Sequence, residues 1–465
     1  MEIKYHFSGI AGSGMSALAY LLYKWGYIIS GSDRFVDQGI IPETIEWIHS
    51  CGDRVKLYPQ DGSGIDEKVD FLVISSAVEF TNPEIQKAVS LNIPVVKRAV
   101  LLSNLFNTGK GIAVGGTSGK STVTSLIYHL LKEKSNPTFV CGAEFRESAS
   151  LGNVKVGDRD FFIIETDESD RGIVLFKPDI SVITNITLDH HPIEELKRLF
   201  QKFIDNTYSC VVFNSDCKLS NDLNTHRKEV ITFGVKKGML IPKDLNLFHE
   251  YSVFYLDKIK FVVPMPGLYN VYNVLSAIAV ARAKGVSLRD CKELVCTYPG
   301  IKRRFDILYK GPRFYVVDDF AHNPCKIRSV IESAKNIKKN LIVIYQPHGY
   351  NPTKLVKNDL IDVFSTCLCN KDRLYLLPIF YAGGTSDKSI SSEDIVKEVK
   401  NVKAEALTRE ALLKILPEIL QDIKEALILI LGARDPTLPS FAQSIASICS
   451  SSPLSAGLQN DKFIL

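Results

Sequence analysis

The sequence predicts an α/β protein built of three consecutive domains with mostly parallel sheets. Three observations predict it. Short apolar runs alternate with helical patterns along the chain, which implies parallel pairing and doubly wound sheets. Two glycine-rich turns, "FSGIAGSGMSALAYLL" near the N terminus and "GIAVGGTSGKSTVTSLIYHLL" from Gly111 to Leu131, each follow a strand-like run and open a helix. After about residue 300 the α/β alternation begins again.

Residues 1–108 read as a Rossmann-like unit. "KYHFSGI" is a strand, "GMSALAYLLYKWG" a helix, "YIISGSD" a strand, "PETIEWIHSCG" a helix, "DFLVISSA" a strand, "PEIQKAVSLN" a helix and "IPVVKR" a strand. "LFNTGKG" reads as the linker onward. Residues 109–300 open with the strand, loop and helix of the second glycine turn. "DFFIIETDES", "ISVITNITLDHH" and "SCVVFNSD" follow as strands, with the helix "EELKRLFQKFIDN" between the second and third. "EVITFGV", "YSVFYLD" and "KIKFVVPMPG" read as antiparallel hairpins, and "VYNVLSAIAVARAKG" as a helix rich in small apolar residues. Residues 301–465 form a second Rossmann-like unit on the strands "FYVVDDFAHNP", "NLIVIYQPHG", "DRLYLLPIF" and "EALILILGARD", with a frayed tail.

Composition narrows the function. The chain has 465 residues, 45% hydrophobic and 23% charged, which suits a soluble globular protein. A net charge of +4 is too small at this length to argue for a nucleic-acid partner. No apolar run approaches the roughly 18 residues of a membrane helix, and Glu2 and Lys4 lead into a strand rather than a signal sequence. The ten cysteines contain no CxxC pair and no zinc-ligand spacing, so reduced thiols in a cytoplasmic protein are expected.

"GGTSGKST" is a short form of the phosphate-binding loop. Its glycines let backbone N–H groups converge on phosphate oxygens, and the helix that follows adds its positive end. Lys120 can reach terminal phosphates, and Ser121 can ligate Mg²⁺. Magnesium needs hard oxygen ligands. The strand "FFIIETDESD" ends in Glu165, Asp167, Glu168 and Asp170, and "TNITLDHHP" ends in Asp189, His190 and His191. These clusters suit metal or phosphate contacts, and equally a solvated loop. The N-terminal Gly9, Gly12 and Gly14, with Asp33 about twenty residues on, also fit a dinucleotide turn, although the spacing is GxxGxG. A nicotinamide-dependent oxidoreductase is therefore one reading, but it gives the second loop no role. An ATP-driven switch is another.

The order "GGTSGKST", "ETDESD", "NITLDHH", "PGLYNVYNVLSAIA", "GIKRRFD", "DDFAHNP" resembles the Mur ligase family, ATP-dependent amide-forming enzymes of peptidoglycan precursor synthesis. The N-terminal turn and "SSAVEFTNPEIQKAVSLNIPVVKRAVLL" resemble the branch that adds L-alanine to UDP-N-acetylmuramate; murein peptide ligase is the alternative within the family. The resemblance implies ATP and Mg²⁺ as cofactors, a UDP-linked muramic acid and a small amino acid as substrates, and a monomer or homodimer. It implies that Gly116, Thr117, Gly119, Lys120, Ser121 and Thr122 bind ATP phosphates, with Ser121, Glu165 and His190 around magnesium. Asn270 and Asn273 then lie near adenine. Arg304, Asp319 and His322 serve the nucleotide from the third domain. Lys120, Glu165, His190 and Arg304 carry the catalytic roles. Gly9, Gly12, Gly14, Met15, Ser16 and Asp33 cradle the UDP moiety, and His348 serves the incoming amino acid.

Several positions depart from the family pattern. Thr187 stands where "NIExDH" has an acid, Arg171 where a small residue is usual, and Ser121 where the loop has threonine. "QPHRY" appears as Gln346-Pro347-His348-Gly349-Tyr350, so the arginine expected near the incoming amino acid is absent. The usual "GAGD" reads Gly432-Ala433-Arg434-Asp435.

Overall fold

The computed structural model describes residues 2–39, 43–75, 78–146, 151–187, 191–381 and 387–451. The chain falls into two compact units, Met1–Ile301 and Lys302–Leu465.

In the first unit, Lys4–Ser8 (β1), Ile28–Ser32 (β2), Val55–Leu57 (β3), Phe71–Ile74 (β4) and Val95–Lys97 (β5) form a parallel sheet in the order β3-β2-β1-β4-β5. The central position of β1 explains its apolar run, since both faces are covered. The helix Ser13–Lys24 follows β1 directly and buries Leu18, Leu21 and Leu22. "PETIEWIHSCG" forms a 3₁₀ helix over Glu43–Ser50 rather than an α-helix. Over so short a stretch the apolar spacing does not separate three residues per turn from 3.6.

A second sheet comprises Lys110–Gly115 (β6), Pro137–Val140 (β7), Val154–Lys155 (β8), Asp158–Glu165 (β9), Ile180–Ile183 (β10), Cys210–Asn214 (β11) and Glu229–Phe233 (β12). Its order is β12-β11-β10-β6-β9-β7-β8, with β8 alone antiparallel. The second glycine turn thus leaves the middle of this sheet from β6. The helices Lys120–Ser135 and Leu268–Ala283 cover it, the latter buried along most of its length, as its small apolar residues require.

The strands Lys243–Leu247 (β13), Ser252–Leu256 (β14) and Ile259–Val263 (β15) make a separate antiparallel sheet. The sequence expectation differs here. "EVITF" is not a hairpin arm but β12, which pairs in parallel with β11 at the sheet edge. The third hairpin arm is the polar segment Lys243–Leu247, mostly exposed and therefore without an apolar pattern.

The two sheets of this unit share one core. Leu18, Leu22, Leu102 and Phe106 belong to the same buried cluster as Phe162, Ile164 and Phe200. Trp25 meets Phe162 edge-on, with ring centroids 6.0 Å apart, a favoured arrangement of aromatic pairs. Asn153 Nδ2 donates to Ser13 O at 2.8 Å, and the Arg159 guanidinium donates to Trp25 O at 2.6 Å.

The second unit is a six-stranded sheet of Asp306–Lys310 (β16), Phe314–Asp319 (β17), Leu341–Tyr345 (β18), Arg373–Leu376 (β19), Lys403–Ala406 (β20) and Ala426–Leu431 (β21). The order is β16-β17-β21-β18-β19-β20, and β16 alone is antiparallel. All six residues of β21, "ALILIL", are buried. Among the described residues, no helix is long and apolar enough to cross a membrane.

Candidate functional site

The phosphate loop turns at Gly116, whose φ is +137°, and enters the helix at Lys120. A positive φ at this value and a side chain from Thr184 against its α-carbon leave room for glycine alone. The end of β10 clamps the loop. Thr184 Oγ1 donates to Ser118 O at 2.6 Å, Asn185 Nδ2 to the same oxygen at 3.0 Å, and Ser118 N to Asn185 Oδ1 at 3.1 Å. Thr117 Oγ1 lies 2.7 Å from both Asn185 Oδ1 and Thr187 Oγ1. Thr187, which departs from the family pattern, is therefore engaged in holding the loop.

Lys120 Nζ donates to Gly116 O at 2.8 Å and meets Glu168 at 2.9 and 3.1 Å. Burial opposes its charge, but Glu168, Glu165 and Asp167 outweigh that and hold the ammonium above its ordinary range. The acidic run "ETDESD" thus faces the loop. Cys141 Sγ approaches Ser121 O at 3.7 Å and Glu165 Oε2 at 3.2 Å, which sets Ser121 and Glu165 beside one thiol. Gly142 N also donates to Glu165 Oε2 at 2.7 Å. Thr122 is buried in the first turn of the helix. A hydroxyl and a carboxylate are hard oxygen donors and fit magnesium. His190 lies outside the described residues. His191 is described, and its Nε2 lies 3.0 Å from Ser169 O. Arg171 pairs with Glu195 at 2.7 Å on the surface.

Asn270 and Asn273 are both buried on the helix Leu268–Ala283. Asn270 Nδ2 donates to Pro266 O at 2.8 Å, and Asn273 Nδ2 to Asn270 Oδ1 at 3.1 Å. Asn273 reaches the phosphate loop, since a β-carbon on Gly119 would lie 2.5 Å from its Oδ1.

At the N-terminal turn, Gly9 and Ile10 amides both donate to Ser32 O. The helix begins after Gly12, and its first intrahelical bond runs from Ser16 N to Gly12 O at 2.8 Å. The amides of Ser13, Gly14 and Met15 precede it and form the positive helix end. The Met15 side chain is in the core. The Ser16 hydroxyl donates to Thr44 O and accepts from Trp47 Nε1 at 2.9 Å. Asp33 uses both oxygens on backbone amides, Ala11 N and Phe35 N, each at 3.0 Å, so it shapes the turn; burial pushes its carboxyl up. Sequence reasoning missed Arg98. Its guanidinium would lie 3.3 Å from a β-carbon on Gly14, and its charge adds to that of Lys120 and the Ser169 hydrogen bonds, which against burial hold Asp167 below the ordinary carboxylate range.

In the second unit, the two arginines of "KRRF" have different fates. Arg303 donates to Asp318 Oδ2 at 3.0 Å, Gly432 O at 2.7 Å and Ala433 O at 3.3 Å. Arg304 lies 5.1 Å over the Phe320 ring and hydrogen-bonds no described residue. Asp319 accepts from Phe305 N at 2.6 Å and Ala321 N at 2.7 Å. It thereby fixes the loop that presents Arg304. The His322 and His348 rings meet edge-on, 5.4 Å apart. Burial lowers both to about 4.

Residues 4–110 match the Mur ligase family catalytic domain, residues 114–281 the Mur ligase middle domain, and residues 303–434 the Mur ligase glutamate ligase domain. The chain belongs to the Mur ligase family and is an ATP-dependent ligase. It is 34% identical over 426 residues to the UDP-N-acetylmuramate–L-alanine ligase of Wigglesworthia glossinidia brevipalpis, covering 86% of this chain and 87% of that one. It is 33% identical over 467 residues to the corresponding ligase of Ruthia magnifica, covering 94% and 96%. The solved UDP-N-acetylmuramate–alanine ligase of Thermotoga maritima superposes with a TM-score of 0.79 at 25% identity, covering 97% and 100%. A murein peptide ligase of Psychrobacter arcticus shares the fold, with a TM-score of 0.69 at 18% identity.

Proposed function

We propose that this chain joins L-alanine to UDP-N-acetylmuramate at the expense of ATP, as a cytoplasmic step of peptidoglycan precursor synthesis. The observation that carries the reading is likeness to alanine-adding ligases over nearly the whole chain, together with a phosphate loop whose lysine meets the carboxylate of Glu168. The ten cysteines form no disulfide among the described residues, which supports a reducing compartment.

In this reading residues 1–108 bind the UDP-sugar, 109–300 bind ATP and 301–465 receive the amino acid. The helix end after Gly12, with Arg98 beside Gly14, takes the diphosphate. The muramoyl carboxylate attacks the γ-phosphorus; the new O–P bond forms as the bond to ADP breaks, and an acyl phosphate results. The unprotonated amine of L-alanine then attacks the carbonyl carbon; the nitrogen gives up a proton to solvent, and phosphate leaves from the tetrahedral intermediate as its C–O bond breaks. Lys120 stabilises charge on the transferring phosphoryl group, and Arg304 is the cation that the resemblance assigns to the nucleotide. Asn270 and Asn273 border the nucleotide, while Asp319 and His322 shape the loops of the second unit that serve it. Ser121 and Glu165 would hold magnesium, with His190 as the further ligand that the resemblance implies, and the metal would supply positive charge to the phosphates. Positioning does most of the work, because the protein forms no covalent bond to substrate.

Phosphate release by the purified protein tests this. ATP, Mg²⁺ and UDP-N-acetylmuramate are supplied with each of the twenty amino acids or with murein tripeptide. Release confined to L-alanine supports the assignment. Release with the tripeptide alone makes the chain a murein peptide ligase, and silence across the panel refutes the ligase reading.

A further inference from the structure

The carboxyl ends of β17, β18 and β21 lie side by side in the second unit, the place where open parallel sheets bind their ligands. Leu431 is in register with Asp319 on one side and Tyr345 on the other. The segment Gly432–Asp435 therefore emerges between the loops carrying His322 and His348. A β-carbon on Gly432 would lie 3.1 Å from Gln346 O.

Four arginines reach this edge. Arg303 is bonded to Asp318 and two carbonyls. Arg304 rests on Phe320. Arg409 is bonded to Asp435 at 2.6 Å, Gln346 Oε1 at 2.8 Å and Thr437 Oγ1 at 2.7 Å. Arg434 is exposed and hydrogen-bonds no described residue, and its charge acts on His348. The nearby carboxylates do not neutralise it. Asp319 is held by two backbone amides, and Asp435 by Arg409 and Thr437. Both histidines are neutral at pH 7, so they add no competing charge.

Gly349 has φ +69° and ψ 126°, and a β-carbon there would meet Pro352 Cδ at 3.2 Å. An arginine at this position is strained by the backbone and crowded by Pro352. The two departures noted in the sequence are thus complementary. Position 349 has glycine where arginine is expected, and position 434 has arginine where glycine is expected, on the ends of neighbouring strands.

We propose that Arg434 binds the carboxylate of the incoming amino acid, replacing the arginine absent at Gly349. This rests on the ligase reading above. An amino acid enters with a carboxylate that needs a cation and an amine that must stay free to attack. Arg434 supplies the first without engaging the second, since guanidinium has donors only.

The test compares L-alanine with L-alaninamide, which keeps the amine and lacks the carboxylate, in the phosphate-release assay with ATP and UDP-N-acetylmuramate. Arg434→Ala raises KM for L-alanine about 10- to 100-fold, the worth of a charge-assisted contact. It leaves KM for L-alaninamide and for ATP within about twofold. Arg434→Lys restores part of the L-alanine affinity. An unchanged KM for L-alanine, or equal losses for acid and amide, overturns the assignment of Arg434. Silence of the unaltered protein with every amino acid overturns the ligase reading itself and this inference with it. Should another amino acid prove the substrate, the same comparison with its amide decides in the same way.

Discussion

Gly116 is where the ligase reading depends most directly on backbone geometry. Replacing it with alanine forces a residue with a β-carbon into φ +137°, which costs about 1–2 kcal/mol. The new β-carbon would fall on the Thr184 hydroxyl and within 3.1 Å of Asn185 O. Thr184 must then rotate away and give up its 2.6 Å bond to Ser118 O, a further 1–2 kcal/mol or about that. The sum, about 2–4 kcal/mol, falls on the loop proposed to hold phosphate and should weaken ATP binding roughly 30- to 1000-fold. Isothermal titration with ATP and Mg²⁺ measures this for Gly116→Ala, Thr184→Ala and the double variant. Because truncating Thr184 removes the obstacle, the double variant should bind ATP better than the sum of the single losses, by about 1 kcal/mol. Wild-type affinity in Gly116→Ala, or strict additivity in the double variant, would refute the steric argument.

Three other outcomes are expected. Glu84 is wholly buried, bonded to His6 Nε2 at 2.9 Å and to the Ser32 hydroxyl at 2.8 Å; Glu84→Ala leaves that ring nitrogen and that hydroxyl without a partner, while His6 Nδ1 keeps Ser30, and should lower stability by about 3–5 kcal/mol in urea unfolding. Arg303→Ala should lower the melting temperature of the second unit by removing three bonds, whereas Arg304→Ala, which removes no hydrogen bond but a charge beside Phe320 and Asp319, should lower it less and slow phosphate release about tenfold or more. His322 and His348 titrate near 4 in the fold and near 6.5 when unfolded, so the unfolded chain takes up protons first as pH falls. Their contribution to stability is complete above about pH 6.5 and lost progressively toward pH 4, and a His322→Gln/His348→Gln variant should show a flatter urea midpoint between pH 7 and 5.

The strands legible in the sequence are those covered on both faces. β6, β10, β11, β18 and β21 are near-continuous apolar runs, and such runs announce themselves. β13 has charged and amide side chains facing solvent, and β8 spans two residues, so neither has a pattern to find. β12 reads like a hairpin arm because an edge strand is only half covered. At the candidate site, the glycine loop with Lys120 and the acidic run with Glu165 were legible as motifs, and the structure brings the two together. Asn185 and Arg98 were not, because each acts on a loop far away in sequence and only the folded chain brings them together. The same holds for Arg303 and Arg304, adjacent in sequence, whose separate roles depend on Asp318 and Phe320.

The core shared by the first two sheets has a thermodynamic consequence. Residues such as Trp25, Leu102 and Phe106 are covered partly by side chains of the central sheet, so a fragment ending near residue 108 would leave them in water. The two glycine turns therefore unfold together. A ligand that occupies either one draws the equilibrium of the whole 301-residue unit toward the fold and protects the other turn from opening, without any contact between the two ligands.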